Sequence, residues 1–252
     1  MSNPLIANQQ PNAAQLPKKR TIVYIDGFNF YYGMLADRAD LKWLNYQRLA
    51  ELLRPDDEIL KVRFFTSIVD QPRYTVPGTT TGHDRQHAYL SALKVQPKID
   101  IKYGKFSSRD RDCLVATCKM PVGPQRRYRA REEKQTDVQL ALQIVLDLRE
   151  EQDAGRHLDN IVLMSADIDM IPALTAAFRL DKKVKTPVYI PVHEDELKYR
   201  RKDDFANYCD PVKPIPEKYL RMAQFPDSVE IKPGCFVQRP VEWPRPLSST
   251  ST

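Results

Sequence analysis

The 252-residue chain has no apolar run of the roughly 18 residues that a membrane-crossing helix needs, so no membrane partner is expected. The first twenty residues are polar and then basic, without the apolar stretch or cleavage site of a secretory signal, which predicts a cytoplasmic protein. Cysteine is scarce: Cys113, Cys118, Cys209 and Cys235 are unevenly spaced, form no C-x-x-C pair for structural zinc, and read as reduced thiols. Neither a G-x-x-x-x-G-K nor a G-x-G-x-x-G loop is present, so nucleotide cofactors have no motif support. His83 and His87 lie four residues apart without the glutamate of H-E-x-x-H, and read as helix-surface residues. No internal repeat is present.

What is there suits a globular protein with a polyanionic partner. Hydrophobic residues make up 42% of the chain, enough for a sizeable core, and Lys plus Arg exceed Asp plus Glu by 39 to 33, a formal charge of +6. Residues 1–17, rich in Asn, Gln, Ala and Pro, are predicted to be a disordered lead-in; residues 18–208 carry the periodic segments. Eight prolines follow Tyr208, so residues 209–252 read as an extended arm or tail with no packed element.

Within the periodic region, residues 21–26 form an apolar, β-branched run that ends in an acid and Gly27, the profile of a buried strand feeding a turn. Helical spacing follows over 28–35 and 46–53, a strand over 59–69, a helix over 83–95 and a strand over 99–106. Residues 114–119 read as one arm of a hairpin, 121–131 as a basic loop, 136–151 as a helix and 160–164 as a buried strand. A helix over 170–180, tolerating Pro172 near its start, and a strand over 186–191 complete the series. Strands alternating with helices predict an α/β fold with a mainly parallel sheet covered on both faces.

Such sheets bind ligands outside the carboxyl ends of their strands. Asp26 follows the first strand, Asp167 and Asp169 follow the strand at 160–164, and Asp137 opens the helix just before it. Carboxylates gathered at short range repel unless a cation neutralises them, and oxygen-only ligands suit Mg²⁺ or Mn²⁺. A metal-bound water is then the expected nucleophile on a phosphodiester.

In order and spacing, the segments Tyr24-Ile-Asp-Gly-Phe-Asn29, Glu133-Lys-Gln-Thr-Asp137 and Leu163-Met-Ser-Ala-Asp167-Ile-Asp169 resemble the three motifs of the NYN domain family (LabA-like, formerly DUF88), within the PIN-like nuclease superfamily. The resemblance covers about residues 20–208, with Arg201 to Phe205 similar to the closing helix of that family. It implies a Rossmann-like PIN-type fold, a Mg²⁺ or Mn²⁺ site and RNA cleavage. Carried over, Asp26, Asp137 and Asp167 are metal ligands, and Asn29 and Asp169 complete the catalytic set. Where many members carry a further acid on the central helix this chain has Gln143, which leaves the site one carboxylate poorer and weakens a two-metal mechanism more than a one-metal one, unless Asp147, one turn on, faces the same side.

The expectation is a metal-dependent endoribonuclease, with two alternatives: an RNA-binding or regulatory module with weak or lost catalysis, and a phosphoesterase on a smaller substrate. Arg126, Arg127, Arg129, Arg131 and Lys134, with Tyr128 among them, run just ahead of Asp137 and are the candidate RNA contacts. Tyr31, Tyr32 and Trp43, near Asn29, could stack on bases, but aromatics flanking a first helix are more often core. Homo-oligomerisation is left open.

Overall fold

The computed structural model describes residues 17–72, 74, 78–113, 119, 127–192, 205–206, 208–209 and 211–246. A six-stranded sheet organises the chain, in the order β3-β2-β1-β6-β7-β8. Its strands are β1 (Lys19–Asp26), β2 (Asp57–Thr66), β3 (Ile99–Tyr103), β6 (Asn160–Met164), β7 (Val188–Ile190) and β8 (Val212–Pro214), and each neighbouring pair is parallel. The chain builds outward from β1 to β3, then returns beside β1 and builds the other way from β6. The order reverses between β1 and β6, which is where an open α/β sheet leaves a crevice at its carboxyl edge.

β1 is covered on both faces, and its side chains alternate between two cores. Val23 and Ile25 point into one layer with Trp43, α2 (Tyr46–Leu53) and α3 (Gly82–Lys94). Ile22 and Tyr24 point into the other, against α4 (Thr136–Asp153) and α5 (Ile171–Leu180). That double burial is why residues 22–25 carry no polar side chain apart from the Tyr24 hydroxyl, which donates to Asp147 at 2.8 Å.

Several sequence expectations are corrected. The predicted strand over 99–106 is two strands, because Gly104 lies where a Cβ would sit 2.2 Å from Thr136 Oγ1; beyond it the chain leaves the main sheet as β4 (Lys105–Asp112). The stretch read as a basic loop pairs from Arg127 onward, as β5 (Arg127–Lys134), antiparallel to β4 over eight residue pairs. The hairpin arm expected at 114–119 and the closing helix at 201–204 lie outside the described residues except for Lys119; Phe205 and Ala206 are helical and Phe205 is buried. The lead-in at 1–16 also lies outside them.

The proline-rich C-terminal stretch carries packed elements. β8 extends the sheet at its edge, α6 (Glu217–Met222) follows, and β9 (Ser228–Lys232) pairs with β10 (Cys235–Gln238). Ile215, Leu220, Ala223 and Phe225 are buried in the same core as Trp43, whose indole N–H donates to the Pro226 carbonyl at 2.7 Å. Proline is tolerated here because it sits at a sheet edge (Pro214) and just before a helix (Pro216), positions that need no ladder N–H in the middle of an element.

Candidate metal centre

The site is assembled at the crevice between β1 and β6. Asp26, the last residue of β1, caps the short helix α1 (Gly27–Phe30), its Oδ1 accepting the Asn29 N–H at 3.0 Å. Gly27 is required there because a Cβ would approach the Phe65 carbonyl to 2.6 Å. Asp26 Oδ2 accepts the Ser165 hydroxyl at 3.2 Å, and that hydroxyl accepts the Asp167 N–H at 3.1 Å. Asn29 Oδ1 accepts the Ala166 N–H at 2.8 Å. Asp167 in turn accepts the Asp169 N–H at 3.0 Å, so the turns after the two strands are tied together through side chains.

Asp137 enters from the first turn of α4. The residue before that helix, Gln135, adopts a left-handed conformation, the only described non-glycine residue with positive φ, and this turns the chain from β5 into α4. Asp26, Asp137 and Asp167 thereby bring one carboxylate oxygen each within 4.8 Å of one another. Asp169 remains exposed at the edge, near enough that its charge acts on Asp137 but outside the trio.

The electrostatics follow from like charges crowded together. Asp26 is pushed up to about 6, first by burial, with the charges of Asp137 and Glu133 adding and the Asn29 and Ser165 hydrogen bonds opposing. Asp137 is raised by burial and by Asp167 and Asp169. Among the described residues no Lys or Arg forms an ion pair with Asp26, Asp137 or Asp167. Hard oxygen donors with uncompensated negative charge fit Mg²⁺ or Mn²⁺, and Asp26, Asp137 and Asp167 are the residues that would hold it.

Glu133 was not singled out by the sequence reading. It lines the same cleft of about 340 Å³, accepts the Ser67 hydroxyl at 2.8 Å and the Thr136 hydroxyl at 2.6 Å, and is raised by burial. Its spacing of four residues before Asp137 was the available signal. Asp147 is not at the site. It is buried and ion-paired with Arg63, whose Nε donates at 3.0 Å, and it also accepts the Gln143 side-chain amide at 3.0 Å. Helix α4 turns that face toward Tyr24, away from the carboxylate cluster.

The basic candidates divide. Arg126 lies outside the described residues, and Arg129 and Arg131 are placed only as backbone members of β5. Arg127 is exposed and paired with Asp112, and Lys134 is exposed and paired with Glu132 at 2.8 Å. Trp43 is fully buried, as expected of a core residue, whereas Tyr32 is 70% exposed at the mouth of the cleft, contrary to that expectation. A second, aromatic cavity of about 290 Å³ opens on the other side of the Phe28 and Tyr32 rings.

No known protein-family profile matches the chain. It is 28% identical over 193 residues to 6-hydroxy-3-succinoylpyridine 3-monooxygenase HspA of Pseudomonas putida, an alignment covering 68% of this chain and 59% of that protein. The chain thus spans about three fifths of the relative it matches. A protein of unknown function from Vibrio parahaemolyticus superposes with a TM-score of 0.46 at 12% identity, over 82% of this chain and 97% of that one. A UDP-glucosyltransferase of Polygonum tinctorium superposes with a TM-score of 0.33 at 14% identity, over 89% of this chain and 38% of that one. Both superpositions are too loose to bear on activity.

The monooxygenase corrects one expectation. A relative that is an oxidoreductase overturns the assignment of this chain to the hydrolases as a metal-dependent ribonuclease. The acid cluster by itself never distinguished the two, since carboxylates that bind a cation do not dictate what the cation is used for.

Proposed function

We propose that this chain is an RNA-binding module of the PIN-like, NYN type, whose cleft holds Mg²⁺ or Mn²⁺ on Asp26, Asp137 and Asp167 so that the ion meets a phosphate of the bound strand. The observation that carries the reading is the trio itself: three carboxylates within 4.8 Å, without a cationic partner among the described residues, at the crevice where the strand order reverses. Mg²⁺ typically takes one or two protein carboxylates and completes its shell with water and phosphate oxygens.

Strand register supports the RNA. In the β4–β5 ribbon Lys105 faces Lys134 and Arg111 faces Tyr128, and with Arg109 these side chains share one surface on which Glu132 is the only acid. The ribbon runs into the turn that delivers Asp137, and because Glu133, which lines the cleft, lies on the ribbon's opposite face, a strand held on this surface passes round the end of the ribbon to reach the carboxylates.

Mn²⁺ titration followed by electron paramagnetic resonance, with anisotropy of a labelled single-stranded RNA, tests the reading. Wild type should bind Mn²⁺ and hold RNA more tightly with it than in EDTA, with affinity falling as salt rises; Asp137→Asn should lose the ion and the metal-dependent part of RNA binding. RNA affinity unchanged by Mn²⁺, EDTA and Asp137→Asn alike would overturn it. A second reading, oxidation of a small heteroaromatic compound, is favoured by the name of the pseudomonad relative. Dioxygen uptake in the presence of a pyridine substrate and a reductant would single it out.

A further inference from the structure

The cavity beyond Phe28 and Tyr32 is built from segments distant in sequence. Tyr31, Tyr46, Phe64, Tyr89 and Trp243 form its walls, and the Gly82 end of α3 forms part of its rim. At about 290 Å³ it is near the lower limit of small-molecule sites, the size for one ring system with a short substituent. Its walls supply ring faces and edges, against which a flat π-system packs better than an aliphatic chain of equal volume.

The polar groups narrow the ligand further. Tyr89 donates to the Leu44 carbonyl at 2.8 Å, while Gln86 spends its amide on the Ser67 carbonyl at 2.9 Å and its oxygen on the Val69 N–H at 2.8 Å. What remains ionised on the lining is cationic: Lys42 and Arg85, with no carboxylate. Arg85 is shared with Glu242 at 3.0 Å, whereas Lys42 lies 5.2 Å from the Tyr31 ring centroid and has no acidic partner among the described residues.

We propose that this cavity binds a planar aromatic ring bearing an acidic group, the ring between the tyrosines and Trp243 and the acid against Lys42. The chemistry admits two sources, a free aromatic acid or the base and phosphate of a nucleotide. It is a site separate from the carboxylate trio and stands whether or not that trio binds a cation.

Both tryptophans of the chain report on it, since Trp243 lines the cavity and Trp43 lies behind it with ring centroids 6.2 Å apart. Tryptophan fluorescence of the full chain is titrated with benzoate, uridine monophosphate and neutral benzamide. At least one of the two anions should saturate with a Kd of about 1 mM or tighter, and benzamide should bind at least about tenfold more weakly. Saturation by benzoate alone assigns a free aromatic acid, and by uridine monophosphate alone a nucleotide. Lys42→Met should weaken the anion about tenfold without changing benzamide. Gly82→Leu points a side chain into the rim, where a Cβ meets nothing closer than an Arg85 nitrogen at 4.0 Å, and should abolish binding of every probe. Its melting curve, with Gly82→Ser as the smaller change, separates a filled cavity from a damaged helix. The proposal is overturned if neither anion saturates, if benzamide binds as tightly as the anion, or if a folded Gly82→Leu protein binds like wild type.

Discussion

The two ends of β1 treat negative charge in opposite ways. At its start, Asp57 accepts the Arg54 guanidinium at 2.7 Å, the Thr21 hydroxyl at 2.7 Å and the Asn160 amide at 3.1 Å, and Glu151 is held by Arg156 at 2.8 Å and Arg20 at 2.6 Å. At its finish, Asp26, Asp137 and Asp167 face one another with hydroxyl and backbone N–H donors but no cation of the described chain. The first arrangement fixes a fold. The second leaves like charges facing one another without a cation among the described residues, a repulsion that a bound cation would relieve.

The largest effect expected on this contrast is at the paired end. Asp57→Ala leaves the Arg54 guanidinium without its carboxylate and removes one acceptor each from Thr21 and Asn160, and should destabilise by about 3 kcal/mol in urea unfolding. At the unpaired end, Asp137→Asn should weaken Mn²⁺ by at least about tenfold, roughly 1.4 kcal/mol, while barely moving the unfolding midpoint in EDTA. Asp26→Asn sharpens the point. Because burial and its neighbours raise Asp26 from its ordinary value to about 6, the ionised form costs the fold stability at pH 7, and the neutral variant in EDTA should gain about 1–2 kcal/mol.

Glu151 predicts the opposite sign. Arg156 and Arg20 lower it to about 2, so the stability it contributes is complete above its ordinary value near 4.5 and lost as pH falls from there toward 2. Glu151→Gln should flatten that acid limb by about 1 kcal/mol, a reduced figure because Arg156 is exposed. The smallest expected change is at the hinge of the site: Gln135→Gly removes the strain of a left-handed non-glycine residue and should stabilise by about 0.5–1 kcal/mol. Loss of stability instead would mean that the Gln135 side chain matters more than its backbone.

How much of this was legible in the sequence depended on how local each signal is. β1 and β6 stand out because strands buried on both faces are written as unbroken apolar runs, and an acid at the end of such a run is placed by the strand alone. Asp26 and Asp167 were legible for that reason, and Asp137 because α4 begins at Thr136. Glu133 was missed because its place in the cleft depends on β5 pairing with β4, a contact made across residues with no periodic pattern. The place of Asp147 could not be read locally because its partner Arg63 lies 84 positions away on β2. The aromatic cavity draws on residues from 27 to 243, which no window along the chain can join. The C-terminal prolines misled because counting them says nothing of which backbone N–H groups an edge strand leaves unused.

The burial of Phe225 and the Trp43–Pro226 hydrogen bond bear on the protein's birth as well as its rest state. Trp43 waits for a cover that is made well after it, from residues 215–229. Until residues 212–229 emerge, the Trp43 layer lies open and β7, once made, has an unpaired edge, so the nascent chain is exposed to aggregation over that interval.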